Sequence, residues 1–467
     1  MAASLTDEEI MAKQICYHVF MGDSLSDPGF MDHRKLAGII PMDGLSGLKG
    51  KSPQGSFTNG YVWDKNFGIT EAEECIIKQL EYKGQRPTDI ADGIIDHEER
   101  IERPFTDDFQ LDVYRQINFK HQDFVRYYAE GGLTSYNYSG RITADFKLLA
   151  TEKILSTLEG KRQLLLEDDK ARGITQDHRD ETLITEWSGA NDLITVNNRP
   201  SKEEAERAVK ARLDNVEQLI KVGYCHFVLF DLPDLSLTPR FQKMEQSEQN
   251  NAHVVCLYFN ELLNQGVARL RKAYSYCDID VFNASGIFKD AYEHPERYAL
   301  DVNKLHTPYI TSPDFKIKPN HTSPAPGYMF WDDVHPSAHV QDILAEKYAE
   351  KYSLNYSFST PHESLITQFK ETYGQCFEDD LRGWFSFFRT SHISYNNPML
   401  KLECILDHAL NQGGQRSRKV IQQLGWINGQ GQLLSKNPEL VKAMEHLRQP
   451  KSTVDVEQES GALSLFD

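Results

Sequence analysis

A serine near the amino terminus has the surroundings of a nucleophile. Ser24 stands in a Gly-Asp-Ser-Leu run directly after the apolar residues 18–21, and the chain then stays polar up to Asp27. If a helix begins there, its free backbone N–H groups and its dipole favour negative charge beside the hydroxyl. A nucleophile that passes through an oxyanion intermediate needs such a site. The run by itself leaves two alternatives open, because a serine in this position also caps helices.

A serine nucleophile needs a base, and residues 330–336 contain a candidate. Asp332 and His335 lie three residues apart, and Pro336 fits the first turn of a following helix. On a turn, this spacing lets the carboxylate fix the tautomer of the imidazole while the other ring nitrogen faces the serine. Two alternatives remain open at this point. His335 and His339 with the neighbouring aspartates have the spacing of a metal site, and a surface loop with a capping aspartate has the same residues.

Two further segments contain possible donors to an oxyanion. Gly131 and Gly132 follow a candidate strand at residues 124–129, and a glycine lets a backbone N–H approach a ligand closely. Asn191 follows another candidate strand, Thr182–Trp187, and its amide group can donate a hydrogen bond to an oxyanion. Each segment alone is equally typical of an ordinary turn.

The order of these segments is more specific than any one of them. A Gly-Asp-Ser-Leu run is followed by a glycine pair, a Gly-Ala-Asn-Asp run and an Asp-x-x-His run before the last candidate helix. This order resembles the GDSL, or SGNH, hydrolase family over about residues 14–352. The Phe-Trp-Asp-x-x-His-Pro string and the long spacing resemble its branch of bacterial lipases, lysophospholipases A and glycerophospholipid–cholesterol acyltransferases.

The resemblance implies a role for each candidate and an activity for the chain. It implies a catalytic triad and an oxyanion hole, formed by Ser24, Asp332 and His335 and by Ser24, Gly132 and Asn191, respectively. Gly131 is the less favoured of the two glycines. The implied enzyme is a serine esterase or lipase of the phospholipase A or lysophospholipase type, acting on lipid or other ester substrates without cofactor or metal and with acyl transfer as a second outcome. A carbohydrate O-acetyl esterase is the alternative enzyme.

The elements that must position these residues follow an α/β pattern. Short apolar segments alternate with helical patterns, which predicts a parallel sheet covered by helices on both faces. We expect a three-layer α/β/α hydrolase domain over residues 14–355, with the flavodoxin-like sheet of the family. Its candidate strands are residues 15–21, 124–129, Thr182–Trp187, His226–Phe230 and 279–282. Ligands of such sheets bind at the carboxyl ends of the strands, where the candidate residues stand.

Three segments fall outside this pattern. Residues 85–122 are rich in charged and amide side chains, which predicts an insertion or lid, with a solvated surface loop as the alternative. Helical patterns alone follow residue 360, so we expect a small α-helical domain over 360–448. Residues 449–467 are polar and acidic and are predicted to be disordered. If the helical domain binds a protein partner, the chain acts instead as an interaction or effector protein.

Composition limits the partners and the location of the chain. The 51 Lys and Arg residues stand against 69 Asp and Glu residues, a formal net charge of −18. This charge disfavours binding to nucleic acid and to anionic membranes. Transient contact with a lipid surface remains compatible with it. The sequence contains no signal peptide and no transmembrane run, which predicts a cytoplasmic protein. The tail resembles the C-terminal signals of type IV secretion effectors, so export by that route is the alternative.

Overall fold

The computed structural model describes residues 13–358, with gaps at 37–39, 83–108, 113–115, 120–121, 140–154, 197–198 and 319–321. The predicted C-terminal domain at 360–448 and the predicted tail at 449–467 lie outside the described residues. The same holds for most of the predicted insertion at 85–122.

A seven-stranded sheet forms the centre of the described chain. In sequence order its strands are β1 Tyr17–Gly22, β2 Phe109–Asp112, β3 Gln116–Phe119, β4 Gln122–Ala129, β5 Thr182–Trp187, β6 His226–Phe230 and β7 Asp278–Phe282. Their spatial order is β7-β6-β5-β1-β4-β3-β2. The five strands from β7 to β4 are parallel and have the flavodoxin-like order, in which β1 lies between β4 and β5.

The sheet also contains two strands that the sequence did not predict. β2 pairs antiparallel with β3, and β3 pairs antiparallel with β4, so the sheet is mixed rather than parallel throughout. Both strands lie in the predicted insertion at 85–122, where the polar composition shows no apolar strand pattern. β2 is the edge strand, whereas β3 lies between β2 and β4 and buries Ile117 between polar neighbours. This part of 85–122 extends the sheet.

Six long helices cover the two faces of the sheet. They are α1 Trp63–Tyr82, α2 Leu158–Arg172, α3 Lys202–Lys221, α4 Gln246–Ala273, α5 Ala284–Glu293 and α6 Ala338–Tyr352. Successive side chains of a strand point to opposite faces. Accordingly Phe20 of β1 packs with α1, α5 and α6, whereas Val19 and Met21 pack with α2, α3 and α4. This arrangement gives the three α/β/α layers that the alternating pattern predicted.

Shorter elements complete the described chain. Lys13–Ile15 pairs in parallel with Tyr356–Phe358, and Lys35–Leu36 pairs antiparallel with Ile40–Pro41. The short helices are Phe30–His33, Met42–Ser46, Gln176–Asp180, Ala190–Ile194 and Pro239–Gln242, and the 3-10 turns are Ser24–Ser26, Leu235–Leu237, Pro295–Tyr298, Val302–Lys304 and Tyr309–Thr311. Among the helices described, none has both the length and the apolar character that crossing a bilayer requires.

The register of the sheet aligns the ends of three strands. Gly22 pairs with Ala129 of β4 on one side and with Trp187 of β5 on the other. The loops that follow these strands therefore leave the sheet at one level of its carboxyl edge. They carry Ser24, the glycine pair and Asn191, so the register brings the predicted site residues to one place.

Candidate active site

Ser24 opens a short 3-10 turn at the end of β1. The backbone N–H of Asp23 donates to the carbonyl oxygen of Trp187 at 3.1 Å, and the Asp23 side chain accepts the N–H of Leu25 at 3.0 Å. Only a glycine fits before this turn, because a Cβ atom at Gly22 would lie 2.3 Å from the Trp187 carbonyl oxygen. Ser24 thus begins a turn of three residues, Ser24–Ser26, and not a long helix. Its side chain is mostly buried yet lines a pocket.

Ser24, His335 and Asp332 form one chain of hydrogen bonds. The Ser24 Oγ atom lies 2.7 Å from His335 Nε2, and His335 Nδ1 lies 2.8 Å from Asp332 Oδ2. The ring of Phe57 lies against the imidazole, with the two centroids 4.9 Å apart. A hydroxyl, an imidazole and a carboxylate in this order are the arrangement by which a serine is activated.

The loop that carries Asp332 and His335 is fixed by its own hydrogen bonds. Asp332 Oδ1 accepts the backbone N–H groups of Val334 and His335 at 2.8 and 2.7 Å. Burial alone would raise the pKa of Asp332, but the charge of His335 and these hydrogen bonds outweigh it and hold that pKa below its usual value. Asp332 is therefore ionised at neutral pH, as a group that stabilises an imidazolium must be.

The metal-site alternative does not agree with the side-chain directions. Both ring nitrogens of His335 are bonded within the chain just described, and His339 Nε2 lies 2.6 Å from the carbonyl oxygen of Tyr298. Asp333, the other candidate carboxylate, accepts two hydrogen bonds from Arg240 at 2.9 and 3.2 Å. These four side chains therefore face different partners and are not arranged as a common ligand set.

The two glycines of the pair have different surroundings. The N–H of Gly131 donates to Asp27 Oδ2 at 2.7 Å. Gly132 has φ +77°, a left-handed conformation that favours glycine. Its N–H donates to no acceptor in the described part of the chain, and Gly132 lines the same pocket as Ser24. Of the two, Gly132 is the residue with an N–H to offer to a ligand.

Asn191 has a fixed amide orientation. Its Oδ1 atom accepts the hydroxyl of Thr195 at 2.7 Å, and its Nδ2 atom donates to the carbonyl oxygen of Leu133 at 3.0 Å. An amide NH₂ group has two hydrogens, so one remains for a ligand in the pocket that Asn191 lines. The bond to Leu133 also ties the asparagine to the loop that contains Gly132.

A pocket of about 310 Å³ opens at these residues. Ser24, Gly132, Asn191 and His335 all line it, which places the four predicted residues around one cavity. Most of the remaining lining is apolar and includes Leu25, Met31, Met42, Ile194, Leu232, Leu235, Leu237 and Phe288. An apolar cavity next to a nucleophile accommodates a hydrocarbon part of a substrate.

Sequence reasoning missed the side chains that support the site. Asp27 and Asp192 each stand three or fewer residues from a predicted site residue, but only the fold reveals what their carboxylates accept. Arg212 is also buried, and its guanidinium bonds to Glu186 and to the carbonyl oxygen of Phe230 at 2.8 Å. It thereby joins the carboxyl ends of β5 and β6. A charged residue on a helix gives no sequence signal of such a contact.

Three known proteins are similar in sequence to this chain. The secreted effector protein SseJ of Salmonella typhimurium is 27% identical over 339 residues, which are 70% of this chain and 61% of that protein. The phosphatidylcholine-sterol acyltransferase of Aeromonas hydrophila is 24% identical over 382 residues, 73% of this chain and 91% of that protein. The thermolabile hemolysin of Vibrio parahaemolyticus is 26% identical over 177 residues, 36% of this chain and 41% of that protein.

The chain thus spans 61% of the length of the Salmonella effector. A sequence model of the family described as GDSL-like Lipase/Acylhydrolase matches residues 19–348, well over half of the chain. The match includes every residue of the hydrogen-bonded chain and of the glycine and asparagine loops. The predicted family is confirmed, and the chain belongs to the GDSL-like lipase/acylhydrolase family.

Proposed function

We propose that the chain hydrolyses carboxylic esters with Ser24 as its nucleophile. The single observation that carries this proposal is the pair of contacts on the imidazole. His335 lies 2.7 Å from the Ser24 hydroxyl on one side and 2.8 Å from Asp332 on the other. Such a pair lets one ring nitrogen accept the serine proton while the other donates to the carboxylate.

In the proposed reaction, Ser24 Oγ attacks the ester carbonyl carbon while His335 Nε2 takes its proton. Asp332 stabilises the imidazolium, which then protonates the leaving alcohol. The oxyanion accepts hydrogen bonds from the N–H groups of Ser24 and Gly132 and from Asn191 Nδ2. Water attacks the acyl-serine ester and releases the acid. An alcohol in place of water gives a new ester, which is acyl transfer.

The proposed substrates are lipids of the phospholipid or lysophospholipid class. The apolar lining of the pocket supports an acyl chain as the group that lies beside Ser24. The name of the Aeromonas relative describes acyl transfer from phosphatidylcholine to a sterol, which supports the same substrate class and the acyl-transfer outcome. A carbohydrate O-acetyl esterase needs polar groups around a sugar, whereas most of this lining is apolar.

Covalent labelling and an acyl-length series test the proposal. A fluorophosphonate is expected to label the native protein, and Ser24→Ala is expected to abolish both labelling and ester turnover. Ser26→Ala is the matched control, because that hydroxyl lies in the same turn but accepts the Trp63 indole N–H at 3.0 Å. Preference for long acyl chains supports the lipase, and preference for acetyl esters supports the carbohydrate esterase. Full turnover in Ser24→Ala protein contradicts the proposal.

The name of the Salmonella relative favours a second role, that of an exported effector. In that role the hydrolase acts on lipids of another cell, and the region after residue 360 binds a partner or carries an export signal. A translocation reporter fused to the full chain tests this. Signal in recipient cells that requires an intact secretion system supports export, and retention of the fusion in the producing cell contradicts it.

A further inference from the structure

The three proposed oxyanion donors come from three separate segments of chain. Ser24 stands on the turn after β1, Gly132 on the loop after β4, and Asn191 on the helix after β5. For the three groups to converge on one atom, the loop that contains Gly132 must keep a fixed position relative to the other two segments. Losing one donor of an oxyanion hole costs about 10²–10³ in kcat, so a small displacement has a large effect.

A buried carboxylate joins the first segment to the loop after β4, residues 130–136, which is the glycine loop. Asp27 is 0% exposed and stands three residues after the proposed nucleophile. Its Oδ1 atom accepts the N–H groups of Gly29 and Phe30 at 2.9 and 2.5 Å. Its Oδ2 atom accepts those of Met31 and Gly131 at 3.1 and 2.7 Å. One side chain, placed directly after the Ser24–Ser26 turn, thus binds the start of the Phe30–His33 helix and the residue directly before Gly132.

A second buried carboxylate joins the third segment to the same loop. Asp192 is also 0% exposed and directly follows Asn191. Its Oδ2 atom accepts the N–H of Ser135 at 2.8 Å, and its Oδ1 atom accepts the N–H of Tyr136 at 3.0 Å. The neighbouring Asn191 amide donates to Leu133 of this loop at 3.0 Å. The glycine loop is therefore held from both sides, by one aspartate from each flanking segment.

We propose that Asp27 and Asp192 are positioning residues that set the geometry of the oxyanion hole. The inference rests on the proposed function, because it assigns both residues to that reaction. Asp27 also selects the donor: since its carboxylate binds the Gly131 N–H, the N–H of Gly132 is left for the oxyanion. Neither aspartate touches the substrate, and each acts through the backbone of the glycine loop.

The chemistry of the two side chains explains why a carboxyl group, and not an apolar residue, holds the loop at each position. Burial raises the pKa of Asp27 to about 6 and that of Asp192 to about 7, although the backbone N–H groups that they bind act in the opposite direction. Burying a carboxylate costs free energy that an apolar residue would not. Only a carboxylate offers two acceptor oxygens, which Asp27 needs for four N–H groups. An asparagine has one such oxygen and keeps only half of these contacts.

The test compares Asp27→Asn and Asp192→Asn with the native chain on an ester that the native chain hydrolyses. Each variant is expected to lower kcat by about 10²–10³, the effect of losing an oxyanion donor, with little change in KM. Affinity for a trifluoromethyl ketone, which forms a tetrahedral adduct, is expected to fall by the same factor. Affinity for the fatty acid product is expected to stay unchanged. A merely structural defect would weaken both ligands together.

Asp64→Asn is the matched control. Asp64 is likewise 0% exposed, and its carboxylate accepts the N–H of its neighbour Lys65 but, among the described residues, no N–H of the glycine loop. Asp64→Asn should therefore leave kcat unchanged. If Asp27→Asn does not fold, Asp192→Asn carries the test alone, because Asp192 accepts two backbone N–H groups where Asp27 accepts four. Native kcat in the folded aspartate variants overturns the inference while leaving the proposed function intact. A native chain without ester turnover or Ser24 labelling overturns both.

Discussion

Replacing Asp332 by asparagine tests the proposed triad with almost no change in shape. The Asp332 carboxylate has two separate tasks, since Oδ1 accepts two backbone N–H groups of its own loop and Oδ2 faces His335 Nδ1 at 2.8 Å. An asparagine oxygen can keep the two backbone contacts, which leaves its NH₂ group facing the imidazole. Nδ1 must then be the acceptor, so the proton moves to Nε2 and points at the Ser24 hydroxyl. That tautomer cannot accept the serine proton.

The expected loss in kcat is large. The same substitution in a serine protease triad lowers kcat by about 10⁴. Each factor of ten corresponds to about 1.4 kcal/mol, so the proton in the wrong place costs about 5 kcal/mol of activation free energy. Because the loop contacts are kept, the melting temperature at neutral pH should change far less than kcat does. KM should also stay near its native value, since Asp332 does not line the pocket.

The assay is the kcat of ester hydrolysis, measured beside the thermal unfolding of each variant. Asp333→Asn is the matched control, because that neighbouring carboxylate binds Arg240 rather than the imidazole. This variant should lose much less kcat than Asp332→Asn. The pKa of Asp332 is lowered below 3.8, so its ionised form contributes stability above that pH and loses it only as the pH falls through the lowered value. Asp332→Asn protein that retains kcat within a factor of ten would refute the reasoning.

Three further predictions concern the surroundings of Ser24. Asn191→Ala should lower kcat by about 10²–10³, and steady-state kinetics that give native kcat would remove it from the oxyanion hole. Gly22→Ala should destabilise the fold, because the added Cβ meets the Trp187 carbonyl oxygen at 2.3 Å; an unchanged melting temperature would contradict this. Burial raises the pKa of Asp23 to about 7, so its contribution to stability is present below pH 3.8 and is lost as the pH rises through 7. Asp23→Asn should therefore raise the melting temperature at pH 8 relative to the native chain and leave it closer to native at pH 4.

The sequence predicted the parallel part of the fold well. Thr182–Trp187 and His226–Phe230 were predicted with their observed bounds. Both are entirely buried strands. His226–Phe230 is a continuous apolar run after its histidine, whereas Thr182–Trp187 includes Thr185 and Glu186 among its apolar residues. β2 and β3 were missed because each is only four residues long and contains polar residues, and because their surroundings are rich in charge.

The sequence alone determined which residues are candidates for the chemistry. The local runs supplied the candidates, and the resemblance of their order to a known family implied their roles and the choice of Gly132 over Gly131. Such runs carry this information because each follows a strand or precedes a helix, and a parallel sheet collects the carboxyl ends of its strands at one edge. For Gly131 and Gly132, however, the sequence contains no physical difference that separates a bound N–H from a free one.

Only the tertiary structure decided how these residues act on one another. The bond between Ser24 and His335 joins residues 311 positions apart, and the bond between Asp27 and Gly131 spans 104 positions. Hydrogen bonds depend on distances within about 3 Å and on angles, which no local pattern specifies. The register that aligns Gly22 with Trp187 and Ala129 fixes those distances. The proposed nucleophile was therefore readable from the sequence, whereas its contact with His335, the difference between the two glycine N–H groups and the contacts of Asp27 and Asp192 required the fold.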